Sequence, residues 1–288
     1  MHNLKTYLDA AKQNHIAIGH FNISNIEALW AIFEAARDLD QPVIIGVSEG
    51  EREFIGVRQA ASLVQSIRNE FNYPIFINAD HTHTVEGVKQ CIDIGFDSVM
   101  FDGSQLDFDE NVALTKQCVA YAREVFEKEG RVVLTEAELG YIGTSSALLD
   151  EIPEGAGKDK TDPDIAQKFV KETGVDIFAP SVGNIHGVVK SGNPHIDAQR
   201  VKEISEATDC HLVLHGGSGI TNEDIAKGIA AGISIVHVNT EIRAAFREGL
   251  EEGLQKNDSV APYKYMDTPR KKVYDVVVEK IKLFAGLV

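Results

Sequence analysis

Short runs of β-branched and aliphatic residues recur along the chain, each followed by a polar turn and then by apolar positions at helical spacing. The runs are 16–20 (IAIGH), 42–47 (PVIIGV), 74–78 (PIFIN), 97–101 (DSVMF), 131–135 (RVVLT), 175–180 (VDIFAP), 210–215 (CHLVLH) and 233–238 (ISIVHV), eight in all. After the first, Ser24-Asn25-Ile26-Glu27 reads as a capping-box start, and Leu29, Ile32, Phe33 and Ala36 then share one helix face. Asp162-Pro163 reads as an N-cap with proline at the first helical position, and Thr221-Asn222-Glu223-Asp224 opens another helix. Strands that alternate with helices pair in parallel, and eight such units predict an α/β fold, a (β/α)8 TIM barrel. A doubly wound open sheet would normally carry a glycine-rich fingerprint after its first strand, and GHFNISN is not one.

No low-complexity segment or Pro/Gly/Ser-rich linker interrupts the pattern, so residues 1–288 read as a single barrel domain. Two stretches depart from the repeating unit. Residues 138–162 (ELGYIGTSSALLDEIPEGAGKDKTD) are too long for an ordinary βα connection and lack a helical period, which suits an active-site loop. Residues 268–286 (TPRKKVYDVVVEKIKLFAG) predict an additional C-terminal helix that covers the barrel or makes an oligomer contact.

Composition alters this picture little. Hydrophobic content of 43% and charged content of 25% are ordinary for a globular protein. The N-terminal stretch has no apolar core of signal-peptide length, and no run is long enough to span a bilayer. Cys91, Cys118 and Cys210 are scattered, without a CxxC pair, so a cytoplasmic protein without disulfides is expected. A formal net charge of −16 argues against nucleic acid or an anionic membrane as partner. It leaves small phosphorylated ligands open, because backbone N–H groups bind phosphate without lysine.

In such a barrel the active site forms at the C-terminal ends of the strands, so each chemically capable residue can be tested by position. Asp80 and His81 follow the third run, Asp102 the fourth, Glu136 and Glu138 the fifth and His186 the sixth. His215 ends the seventh, and His237, Asn239 and Thr240 close the eighth. A lone histidine is more often structural, and an aspartate after a strand is often only a helix cap. Several on one rim are harder to dismiss. His81, His186 and His215 are the expected ligands of a catalytic zinc ion. His15, His195 and His211 fall away from that rim and read as structural.

Residues 78–84, NADHTHT, pose a difficulty: adjacent residues on a strand point to opposite faces, so Asp80 and His81 should part. The expectation is that the third strand ends near Asn78, which lets both enter one cavity, with His83 left to local hydrogen bonding near the next helix. HGGSGI and HVNT follow the seventh and eighth runs, where barrels commonly bind phosphate. Gly216, Gly217 and Gly219 can turn their amides to an oxyanion, and Ser218 and Thr240 can donate hydroxyls. A metal, a phosphate site and a free carboxylate suit enediolate chemistry. The other route, a Schiff-base lysine, lacks a lysine in any of the eight runs.

These residues resemble the class II, zinc-dependent fructose-bisphosphate/tagatose-bisphosphate aldolase family over nearly the whole chain. FDSVMFDGSQLDFDENVALTK, EAELG, GNIHG and VLHGGSGI carry the resemblance in order and spacing. It implies reversible cleavage of a ketose bisphosphate to dihydroxyacetone phosphate and an aldehyde. Asp80 would move the proton at the oxygen of the reacting carbon–carbon bond, and His81, His186 and His215 would hold zinc. Asp102 and Glu138 match a second or alternative metal position, for a second divalent metal or a monovalent cation. Gly187, Gly216, Gly217, Ser218, Asn239 and Thr240 match substrate and phosphate contacts, and Glu151 or Glu154 in the long loop would abstract a carbon-bound proton. A homodimer or homotetramer is the family's usual assembly.

Where the family reads Asn-x-Asp-Thr-Asp, this chain has His237-Val238-Asn239-Thr240-Glu241, and Val188-Val189 follow GNIHG where an aromatic is usual. These departures touch substrate identity and leave the metal set intact. Fructose 1,6-bisphosphate is the first expected substrate, tagatose 1,6-bisphosphate or another ketose phosphate the alternative. A non-catalytic aldolase-like subunit, or a metal-dependent isomerase on the same scaffold, are readings of a different kind; the retained Asp80 and three histidines argue against the first of these.

Overall fold

The computed structural model describes residues 2–143, 147–151, 159–190 and 192–287. Each of the eight runs forms a strand: β1 (Ile18–Asn22), β2 (Val43–Val47), β3 (Ile75–Thr82), β4 (Ser98–Phe101) and β5 (Leu134–Leu139). Then follow a short β6 (Leu148–Leu149), β7 (Ile177–Pro180), a short β8 (Val188–Val189), β9 (His211–Leu214) and β10 (Ile233–Val238). The eight long strands pair in parallel and close in the order β1-β2-β3-β4-β5-β7-β9-β10, back to β1. β6 and β8 form a separate parallel ladder. Among the described residues, no helix is long and apolar enough to cross a membrane.

The barrel interior changes character along its axis. Ile18, Ile44, Phe76, Leu134, Ile177, Val213 and Ile235 form one apolar layer with Leu4, Leu8 and Ala11 of the helix Leu4–Asn14, which closes that end. Two residues further along, on the same strand faces, stand His20, Gly46, Asn78, Glu136, His215 and His237. The apolar layer thus supports a polar one at the C-terminal ends.

The last helix, Asp267–Phe284, packs against the helices Ile26–Asp38 and Thr240–Lys256 and covers the barrel at β1. Its Val273, Val277, Ile281 and Phe284 are buried, and the Phe284 carbonyl accepts from Ala17 N–H at 2.9 Å. The predicted helix starts at Asp162 and Thr221 hold: each side chain accepts from backbone amides of the first turn. The start at Ser24 shifts by one residue. Asn25 is the N-cap, its Oδ1 accepting from Ala28 N–H at 2.8 Å.

The third strand does not end near Asn78. β3 runs on to Thr82, and its register against β4 slips: Ala79 pairs with Val99, but Thr82 pairs with Phe101. Three steps on β3 match two on β4, which is a bulge. His81 takes up the extra length at φ +37°, in the left-handed region. Buried Arg52, from the helix Glu49–Ile55, fastens the bulge. Its guanidinium donates to Val47 O, to Asp80 O at 3.0 Å and to Thr82 Oγ1 at 2.9 Å. Asp80 and His81 therefore line the same cavity because the strand is bulged, and not because it stops.

Candidate active site

His81 projects from the bulge, His186 from the segment after β7, and His215 from the end of β9. One nitrogen of each ring faces an oxygen that can only accept. His81 Nδ1–H donates to Asp102 Oδ2, His186 Nδ1–H to the Gly143 carbonyl, and His215 Nε2–H to Glu136 Oε1, each at 2.7 Å. Of the other nitrogens, His186 Nε2 and His215 Nδ1 then carry lone pairs, and His81 Nε2 does so once its ring gives up a proton. His81 Nε2 and His215 Nδ1 are 3.2 Å apart, and the three residues offer ligand atoms within 4.8 Å of one another. Three convergent imidazole nitrogens, each ring oriented through its second nitrogen, are a donor set that could hold a metal ion with a coordination position left open.

Asp80 sits beside this group, its Oδ1 3.8 Å from His81 Nε2. Asn22 donates one amide hydrogen to Asp80 Oδ2 at 2.9 Å and the other to Glu51 Oε2 at 2.8 Å. Burial resists ionisation of Asp80, yet the charge of His81 and the hydrogen bond of His237 hold its carboxyl well below the usual range. Burial likewise pushes His81 down, but Asp80 and Asp102 outweigh it and raise the imidazole to about 10. Burial and the neighbouring His81 charge lower His186 and His215 to about 3, so both are neutral bases at pH 7. Burial raises Glu136, and raises Glu138 well above the carboxylate range.

A cavity of about 290 Å³ opens over the site, bounded by Ser48, Glu49, Asp80, His81, Asp102, Ser104, Gln105, His186, Asn239 and Arg243 among others. Beneath it a space of about 20 Å³, room for one ion or water, touches Asn22, Asp80, the three histidines, Gly187, Gly216, Ser218, His237, Asn239 and Thr240. A larger groove of about 680 Å³ lies at the opposite barrel end, by Lys12, Lys171 and His211, away from this chemistry.

A model of the family described as Fructose-bisphosphate aldolase class-II matches residues 2–286. The chain belongs to that family. The fructose-bisphosphate aldolase of Staphylococcus aureus is 38% identical over 286 residues, which is 98% of this chain and 96% of the relative. That of Geobacillus stearothermophilus is 37% identical over 288 residues, 99% of this chain and 96% of the relative. Among solved structures, the YdjI aldolase from Escherichia coli K12 superposes with a TM-score of 0.83 at 31% identity, covering 98% of this chain and 97% of that one. Fructose-bisphosphate aldolase from Campylobacter jejuni, at 22% identity and TM-score 0.79 over 98% and 94% of the two chains, shares the fold.

As a class-II family member the chain is an aldolase, a carbon–carbon lyase, and the residues that carried the resemblance can be placed. Asp80, His81, His186 and His215 converge, with Gly187, Gly216, Ser218, Asn239 and Thr240 around them. At Gly216, φ +63°, a Cβ would lie 2.0 Å from the Ile185 carbonyl, so only glycine fits. Two of the loop amides expected to face an oxyanion are engaged within the protein. Gly217 N–H donates to His237 O at 2.9 Å, and Gly219 N–H to Glu241 Oε1 at 2.8 Å. Gly217 serves instead by its bareness, since a Cβ there would come within 2.7 Å of that carbonyl.

Asp102 is occupied in orienting His81 and in accepting from Ser104, and neither it nor Glu138 belongs to a group of three ligand atoms among the described residues. Glu138 Oε2 is buried without a hydrogen bond, 3.7 Å from His215 Nδ1. Glu151 is exposed just beyond β6, whose ladder partner β8 begins directly after Gly187. Glu154 lies outside the described residues. His15 caps its helix, His195 pairs with Asp224, and His211 pairs with Asp9, all clear of the site.

Sequence reasoning left out Asn22, Glu51, Arg52 and His20, and stopped short of giving Glu136 a role. His20 ends the first run and Asn22 ends β1, so the rim rule applied to β1 would have found them. Ser48-x-x-Glu51 is a capping box that marks the start of their short helix, but only the contacts of Glu51 with Asn22 and of Arg52 with β3 place them at the site.

Proposed function

We propose that the chain reversibly cleaves a ketose bisphosphate, with fructose 1,6-bisphosphate first in line, to dihydroxyacetone phosphate and an aldehyde phosphate. The observation that carries this is the convergence of three imidazole nitrogens, two of them bare and that of His81 freed when it gives up its proton, beside an ionised, buried Asp80. His81 Nε2, His186 Nε2 and His215 Nδ1 would hold Zn2+, which supplies Lewis acidity toward the substrate carbonyl. Asp80 takes the proton from the hydroxyl on the breaking carbon–carbon bond and returns it in the condensation direction. Asn22 and the Arg52-fastened bulge keep that carboxylate aimed at the cavity. Gly187, Gly216, Ser218, Asn239 and Thr240 receive the phosphate end, with Gly217 shaping the turn. Glu151 or Glu154 exchanges the proton on carbon from the loop that follows β5.

His237 and Asn239 depart from the family pattern that the resemblance implies, so the test uses a substrate panel with fructose and tagatose 1,6-bisphosphates. Chelation is expected to abolish cleavage and added zinc to restore it. Asp80→Asn should lower kcat by about 10²–10⁴-fold while zinc content stays unchanged. Full turnover by that variant would rule the mechanism out.

A further inference from the structure

His20 and His237, on the neighbouring strands β1 and β10, stack face to face with ring centroids 3.4 Å apart and planes within 4°. With Asp80 they form a second group in which each residue offers a ligand atom within 4.8 Å of the other two. The three are 1%, 5% and 4% exposed. Asn78 Nδ2 donates to Ser98 Oγ, so Asn78 Oδ1 is the acceptor facing His20, and His20 Nε2–H donates to it at 3.2 Å. His20 Nδ1 is then a bare lone pair. His237 Nδ1 faces Asp80 Oδ1 at 3.5 Å, which leaves His237 Nε2 bare as well. His20 Nδ1 and His237 Nε2 lack a hydrogen-bond partner, and Asp80 Oδ1 has only the long 3.5 Å approach of His237 Nδ1. Buried acceptors without donors are costly, and a cation satisfies several at once. Gly46 is what admits this arrangement, since a Cβ there would lie 2.1 Å from His20 Cε1.

We propose that His20, His237 and Asp80 form a second cation site, distinct from the His81–His186–His215 group, that takes a divalent transition ion and inhibits the enzyme when filled. The consequence for activity rests on the aldolase reading, in which Asp80 moves a proton; an ion on Asp80 removes it from that task. Two imidazoles and one carboxylate select Zn2+ or Co2+ over Mg2+ or Ca2+. Parallel rings cannot aim in-plane lone pairs at one point, so ion entry turns one ring about its Cβ–Cγ bond. The lost stacking contact makes this site the weaker of the two, filled only after the first.

The chelator-stripped full-length protein is titrated with Zn2+ or Co2+ in equilibrium dialysis, and bound metal per chain is read alongside cleavage of a ketose bisphosphate. The wild type is expected to bind two equivalents, with activity rising on the first and falling at least tenfold on the second. His20→Ala and, separately, His237→Asn should each bind one equivalent and lose the inhibition. Should His20→Ala fail to fold, His237→Asn and the wild-type stoichiometry decide. A single equivalent in the wild type, a second that survives both substitutions, one that binds without inhibiting, or one lost in Glu138→Gln instead overturns the inference. Absence of the first equivalent together with absence of cleavage overturns the aldolase reading.

Discussion

Asp102 orients His81: its Oδ2 accepts the His81 Nδ1–H at 2.7 Å, while its Oδ1 accepts from the Ser104 amide and hydroxyl at 3.1 and 2.7 Å. Both oxygens are occupied, and the carboxylate holds Nδ1–H of His81 so that Nε2 is the nitrogen turned toward the site. Such outer partners set metal affinity as well as geometry. Asp102→Asn is expected to weaken zinc binding by about 10–100-fold in competition with a chelator. Unchanged affinity would mean that the carboxylate does not set the tautomer.

Metal binding should depend on pH through the same histidine. In the metal-free protein burial pushes His81 down, but Asp80 and Asp102 outweigh it and hold its pKa at about 10, above the ordinary 6.5. A raised pKa means that the protonated ring stabilises the metal-free fold fully below 6.5, and that this contribution is lost as pH rises through about 10. An ion at Nε2 must displace that proton. Binding at pH 7 should therefore release a proton, and apparent affinity should climb about tenfold per pH unit toward pH 10. Calorimetry in two buffers of different ionisation enthalpy measures the proton release; a pH-independent affinity would contradict the assignment.

Arg52 spans Val47 O, Asp80 O and Thr82 Oγ1 with a planar fork that a single ammonium cannot match. Arg52→Lys is expected to cost about 1.5–3 kcal/mol of stability in urea unfolding. Zinc affinity and kcat should fall together, because His81 and Asp80 both depend on the bulge. A variant that loses stability alone would show that the bulge holds without its clamp.

Phe284 ends the C-terminal helix and is buried against Phe21, with ring centroids 6.5 Å apart. Phe284→Ala should cost about 3–5 kcal/mol, seen as a lower urea midpoint. Zinc affinity should not change, since Phe284 packs on the outer face of β1 while Asn22 and His20 face inward. A parallel loss of metal binding would show that the two faces of β1 are coupled.

The eight strands were legible because each is a local, nearly continuous apolar run, and burial on both faces makes such runs stand out without reference to the rest of the chain. The rim positions of His81, His186 and His215 followed from strand order alone. Strand length was not so legible. NADHTHT looked like a strand end followed by a turn, because nothing local announces that Arg52 will hold an extra residue in the ladder.

What the sequence determined by itself was the barrel, its polar rim and the residue types gathered there, since periodicity and order are local properties of the chain. Which nitrogen of each histidine faces the site, and why Asp80 and His81 share a cavity, only the tertiary structure decided. A lone pair is freed when the opposite nitrogen finds its acceptor. Those acceptors, Asp102, Gly143 and Glu136, come from other elements and meet their histidines only when the barrel closes.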